Sequence, residues 1–313
     1  MKGNAMKKII AIMLILCTGL SLFTACTNKA EKDWAYKDMP DGTVKVWWYY
    51  NFDDVDVVVP SELGGKKVTR IDQSTFQGHK KMQSLTIPEG VTSIGRHMLA
   101  GCRSLTKITF PDSLTTVDEG AFFGANSMTE INLPPNVKTI GLLAFDWDDS
   151  LTKVTLPDGL EVLGPQAFSK CHALTDVNIP EGITRIDEQT FYQCRSLPTV
   201  TLPESLTAIG KEAFADCRSL KEIKIPANVT RIDTAAFFDC TTLTEVSLQE
   251  GLTEIGDRAF SGCASLTNIT IPASVTTIGK DAFRKCSSLT VTVTAGSAAE
   301  QYCKDNGLDY VTK

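Results

Sequence analysis

The chain repeats itself every 23 residues, and no other feature narrows its fold so far. One column of the repeat reads Phe76, Leu99, Phe122, Phe145, Phe168, Phe191, Phe214, Phe237, Phe260 and Phe283, each step 23 residues with no insertion. A proline column keeps the same step from Pro88 through Pro226, gives way to Gln249, and resumes at Pro272. A fixed period of this kind marks a solenoid, propeller or array, and about 23 residues is too short for a helix pair or a four-stranded blade. It suits a leucine-rich repeat.

The residues within one period show how each unit is built. Leu220, Ile223 and Ile225 have the spacing of a short strand with its apolar side inward. Pro226 stops that strand, having no N–H to donate. The column of Asn228, elsewhere Gly or Ser, reads as a turn. Val229 and Ile232 point inward from a second short segment. Asp233 lies in a column holding only Gly or Asp, which fits a helix N-cap, and Ala236, Phe237 and Cys240 fit one face of a short helix. The expected fold class is therefore an α/β repeat solenoid. It comprises about ten 23-residue leucine-rich repeats (strand, turn, short strand, short helix) with N- and C-terminal caps. One unit cannot bury its own apolar face, so stability arises from stacking.

The pattern L-x-x-I-x-I-P-x-x-V-x-x-I-G-x-x-A-F-x-x-C, in phase from Lys66 to Thr294, resembles the BspA-like leucine-rich-repeat family of bacterial surface proteins. That resemblance implies a curved solenoid, export, and binding of proteins or surfaces, as in adhesins for host matrix proteins. The chain lacks the asparagine ladder of ordinary leucine-rich repeats; its Pro, Gly/Asp and Cys columns stand instead.

The expected division is a lipoprotein signal peptide at 1–25, a flexible tether at 26–42, an N-terminal cap at 43–65, the solenoid at 66–294 and a C-terminal cap at 295–313. Lys7 and Lys8 precede the apolar stretch Ile9–Leu16, and Ala25–Cys26 resembles a bacterial lipobox, although Phe23 occupies the usual Leu position. Cys26 is thus the expected lipid attachment and the bacterial cell surface the expected location. Ordinary cleaved secretion and an uncleaved anchor are the alternatives. In the C-terminal cap, Ser297 and Gly307 bracket an expected helix.

Charge and motifs exclude several functions. The chain has 31 basic and 37 acidic residues, and its first 25 contribute Lys2, Lys7 and Lys8 but no acid. An acidic surface does not attract nucleic acid. No P-loop, G-x-S-x-G or H-E-x-x-H occurs, and the three His, His79, His97 and His172, occupy unrelated columns and read as surface residues. The chain is expected to be no enzyme and to need no cofactor. Seven of the ten Cys form one column (Cys102, Cys171, Cys194, Cys217, Cys240, Cys263, Cys286). Equivalent side chains on adjacent coils run parallel about 4.8 Å apart, where disulfide geometry fails, so this is a ladder of buried thiols.

Three features depart from the repeat toward binding. The first is an outward hydroxyl and amide stripe, Thr109, Asn132, Thr155, Asn178, Thr201 and Lys224, suited to a glycan or an extended polypeptide; Thr is also simply a good exposed strand residue. The second is TVKVWWYY, where strand alternation sends Trp47 and Tyr49 to one side, Trp48 and Tyr50 to the other. One pair, or both, should cap the first coil; Trp48 and Tyr50 are the candidate platform if only one does. The third is AFDWDDS, where Trp147 stands among Asp146, Asp148 and Asp149. This reads as an outward-bulging loop, a Ca²⁺ site or an exposed Trp contact. The expected function is a lipid-anchored recognition or adhesion protein binding an extracellular protein or glycan through its strand face. A nutrient-capture lipoprotein and a ligand-free spacer are the alternatives.

Overall fold

A computed structural model describes residues 31–313; the expected signal peptide and Cys26 lie outside the described residues. Asp33–Lys313 forms one compact unit of about twelve stacked coils. Most coils contribute a short strand to parallel pairing on one side. Glu130–Asn132 pairs with Lys153–Thr155, Ile131 opposite Val154, and Glu222–Lys224 pairs with Glu245–Ser247. A second parallel ladder follows the turn, as in Thr116–Val117 beside Thr139–Ile140 beside Val162–Leu163. Partners are 23 residues apart, so the sequence period is the height of one coil.

The third side is not helical, which corrects the expected helix per repeat. Two columns, four residues apart, hold left-handed backbone in every coil: Leu143 (φ 57°) and Trp147 (φ 64°), or Gln189 (φ 56°) and Gln193 (φ 60°). Two reversals of φ within five residues cannot belong to a right-handed helix. They turn alternate N–H groups along the stack instead. Leu143, Phe145 and Trp147 donate to Pro165, Ala167 and Ser169 of the next coil at 2.8–3.1 Å. Asp146 and Asp148 donate back within the corner to Leu143 and Phe145. The corner is thus a third inter-coil ladder, and the Gly/Asp column begins it rather than capping a helix. The one α-helix among the described residues is Ala298–Asn306, where Ser297 Oγ accepts from Glu300 N and Gly307 (φ 62°) closes the other end.

The core is a set of ladders. Phenylalanine rings from Phe122 to Phe283 stack with centroids 4.9–5.7 Å apart and planes within 13°. Every ring is buried, and truncating one to Ala costs about 3–5 kcal/mol. The column thiols are free and buried, and each donates to the carbonyl 26 residues earlier, Cys194 Sγ to Phe168 O at 3.2 Å. Burial pushes their pKa upward, to about 12 at Cys102 and about 11 at Cys286.

The ends add coils, so the stack exceeds the expected ten. Asp56–Val58 pairs in parallel with Ser84–Thr86, and Asp309–Thr312 with Thr290–Val293. The expected tether at 26–42 is corrected from residue 34 onward, because Trp34–Asp38 is a strand antiparallel to Val44–Tyr49. Trp34 and Tyr49 cover the first core ring, Phe76, with centroids 6.0 and 5.8 Å from it. At the far end Tyr302 stands edge-on to Phe283 at 6.2 Å.

Candidate binding faces

The outward stripe forms a continuous column only in part. Thr109, Asn132, Thr155, Thr201 and Lys224 are exposed, held by the inward Ile or Val before each of them. Asn178 is exposed as well, but its amide is committed. Its Nδ2 donates to Leu156 O and its Oδ1 accepts from Leu156 N, both at 2.8 Å. Asn178 thus bonds the preceding coil where the strand ladder is about to fail.

The failure lies one coil further on. The column Gln83, Thr106, Thr129, Thr152, Thr175 reaches Pro198 before continuing as Lys221, Thr244 and Thr267. Its members hydrogen-bond coil to coil, as Thr175 N does to Thr152 O at 2.9 Å and Lys221 N to Pro198 O at 3.0 Å. Pro198 has no N–H to offer Thr175. Beyond it, Thr199–Leu202 makes no backbone hydrogen bond to either neighbouring coil. Its inward Val200 and Leu202 are each 7% exposed.

This opening forms a cleft of about 320 Å³ between Thr199–Leu202 and the strands Glu222–Lys224 and Glu245–Ser247. Glu204, Glu222, Glu245 and Lys224 line it, and Lys224 Nζ is 3.9 Å from Glu204 Oε1. The cleft offers unpaired backbone donors and acceptors beside three carboxylates and one cation. Such groups can hydrogen-bond a backbone and pair with a cation. The structure brings Thr201 and Lys224 of the expected stripe together here. Pro198, the residue that opens the cleft, is legible only as a proline in a threonine column.

The other candidates separate. In Val44–Tyr49 the buried set is Val44, Val46 and Tyr49, so alternation slips by one residue, next to a register shift at Ala35/Tyr36. Tyr49 enters the cap while Trp47 (39% exposed) faces solvent, which corrects their expected pairing. Tyr50 is 40% exposed, and Trp48 is partly covered, its ring 6.2 Å from Phe52. His79, expected at the surface, is buried and stacked on Phe52 at 4.0 Å, and burial lowers its pKa.

The AFDWDDS segment does not bulge outward. The corner ladder holds it in phase, burying Asp148 fully in the thiol column and leaving Asp146 3% exposed. Both Asp148 oxygens lack a hydrogen-bond partner, and desolvation raises its pKa well above the ordinary carboxylate value. Asp149 turns away to His172 Nδ1 at 2.6 Å. The three carboxylates diverge, and no group of three metal-ligating side chains occurs among the described residues. Trp147 remains exposed at 43%, with Lys170 Nζ 4.5 Å from its ring centroid.

Parallel ladders, an aromatic core stack and a polar strand face define a leucine-rich-repeat solenoid. The chain belongs to the BspA-type leucine-rich-repeat family, whose model matches it in 6 copies over residues 62–175 and 162–290. Its fold is similar to that of a Treponema pallidum leucine-rich repeat protein, at 30% identity over 60% of this chain and 88% of that one, with a TM-score of 0.58. A leucine-rich repeat protein from Bacteroides ovatus aligns with 90% of this chain and 98% of its own, at 24% identity and TM-score 0.55. A leucine rich cell surface protein from Faecalibacterium prausnitzii shares 23% identity over 90% and 93% of the two chains, with TM-score 0.53. No curated protein matches the chain significantly.

Proposed function

We propose that this chain is an exported recognition protein of the bacterial surface, binding an extended segment of a partner protein along its strand face. The cleft at Pro198–Leu202 carries the reading. It is a stretch of strand face whose backbone groups are left unpaired by both neighbouring coils, flanked by exposed side chains. Unpaired backbone groups in a groove receive a strand-like segment through main-chain hydrogen bonds, and flanking side chains add selectivity. Glu204, Glu222 and Glu245 favour a Lys or Arg of the partner at that point. Binding spread along a face is a sum of modest contacts with a few dominant ones. The protein acts as a binder, not an enzyme.

Family membership and the basic-then-apolar start support export, and Ala25–Cys26 supports acylation at Cys26. Mass spectrometry of the native protein is expected to find diacylglyceryl Cys26 as the first residue; an unmodified mature terminus elsewhere contradicts the anchor. The binding test is saturable retention on a panel of matrix proteins and mucins, competed by unlabelled chain. Glu222→Gln with Glu245→Gln is expected to weaken retention about tenfold, one lost charge contact, with the melting temperature unchanged. Retention unaffected by these changes removes the cleft from the reading.

A further inference from the structure

A second opening lies on the corner side of the first coils, away from the strand face. It is a groove of about 510 Å³, lined chiefly by Gln77, Arg103, Phe123, Asn126 and Trp147. Its floor follows from one column of the repeat. The left-handed corner position holds Gly78, Gly101 and Gly124 in three successive coils, then Trp147. A Cβ at Gly78 or Gly101 would meet nothing within 4 Å, so side chains at this column project into open space. Three missing side chains leave a trough, and the fourth coil closes it with an indole.

The walls are costly unless used. Phe123 is 37% and Trp147 43% exposed. Lys170 covers the indole but does not line the groove. Arg103 is exposed and has no ion pair or side-chain hydrogen bond, although acids outnumber bases in the chain. No carboxylate lines the groove.

The glycine N–H groups below are engaged. Gly78 N donates to Ala100 O, Gly101 N to Phe123 O and Gly124 N to Asp146 O, at 2.8–3.0 Å. These three donors are closed to a polypeptide strand, unlike the backbone of the cleft at Pro198. Recognition must come from ring faces and from planar polar side chains. A pyranose ring supplies the complement: C–H faces that pack on aromatic rings, and hydroxyls in reach of amides. A guanidinium fits a carboxylate through paired hydrogen bonds.

We propose that this groove is a saccharide site taking a carboxylated pyranose, with Trp147 and Phe123 against the ring and Arg103 on the carboxylate. Uronic and sialic acids share that chemistry. The site is independent of the protein-binding cleft.

The test is isothermal titration calorimetry of the full chain with 3′-sialyllactose, tetragalacturonate and neutral lactose. Saturable binding of at least one acidic sugar, about tenfold or more tighter than lactose, is expected from the charged contact; which one binds identifies the source. Trp147→Ala should abolish the binding. Arg103→Gln should reduce it to the lactose level, and Gly101→Asn, which tolerates a left-handed backbone, should obstruct it with the fold intact. Pro198→Thr should leave it unchanged. No heat with either acidic sugar, equal affinity for lactose, or indifference to Trp147→Ala overturns the proposal.

Discussion

Asp148 shows how strongly the coil constrains a single residue. Its column carries thiols that each donate one hydrogen bond to a phenylalanine carbonyl, as Cys171 does to Phe145 O at 3.1 Å. A carboxylate there has no proton to donate, and its burial favours the protonated form of Asp148, raising its pKa well above the ordinary carboxylate value. The sign of the pH dependence follows. Below the ordinary carboxylate pKa of about 3.9, folded and unfolded chains both carry the proton. As pH rises past that value the unfolded chain releases it while the folded chain retains it, so stability falls toward the raised folded pKa. Asp148→Cys is therefore expected to stabilise the protein by roughly 1–3 kcal/mol at pH 7, the cost of an unsatisfied buried polar group. The gain should shrink toward pH 3 in parallel thermal melts; a pH-independent gain contradicts this assignment. The cost of a lone buried carboxylate was readable in the sequence, but the outcome was not. Protonation in place, rather than a bulge, follows from the inter-coil bonds on both sides of Asp148.

At the scale of the element, strands were legible and corners were not. Alternating Leu, Ile and Val before a proline identify the strand, because its inward side chains are apolar and stack on those of the next coil. The corner carries a helix-like spacing, Ala236, Phe237 and Cys240, all buried. Its two left-handed positions are filled by Gln, Lys, Leu and Trp as well as Gly, residues that do not announce positive φ. What holds them there is the inter-coil bonding, which sequence spacing does not display. Pro198 is the converse case: a plain deviation whose effect depends on what its neighbours bond to. Restoring the column residue, Pro198→Thr, supplies the missing donor to Thr175 O. The melting temperature should move little, because one added bond of about 1 kcal/mol offsets the lost rigidity of proline. Partner binding at the strand face should fall. Undiminished binding would place the contact elsewhere.

The stacked unit as a whole is continuous from cap to cap. Trp34 and Tyr49 cover Phe76 at one end of the core, and Tyr302 stands edge-on to Phe283 at the other, where Cys303 is buried. The extent of the repeat was readable from its period, yet Asp56–Val58 and Asp309–Thr312 join the ladder without matching the motif, since pairing needs backbone and not a consensus. Stability in such a stack is a sum of coil and nearest-neighbour terms. Deleting 295–313 should therefore expose Phe283 and Val291 and lower the melting temperature steeply, with aggregation measured by light scattering. A cooperative melt like that of the intact chain would mean the end is not a cap. The central claim is that the strand ladder is open at Thr199–Leu202. Hydrogen exchange read by mass spectrometry tests it without a partner. The amides of Val200–Leu202 are expected to exchange far faster than those of Ile223–Ile225, one coil away, and to slow in Pro198→Thr; equal protection of the two segments in the native chain would contradict the account.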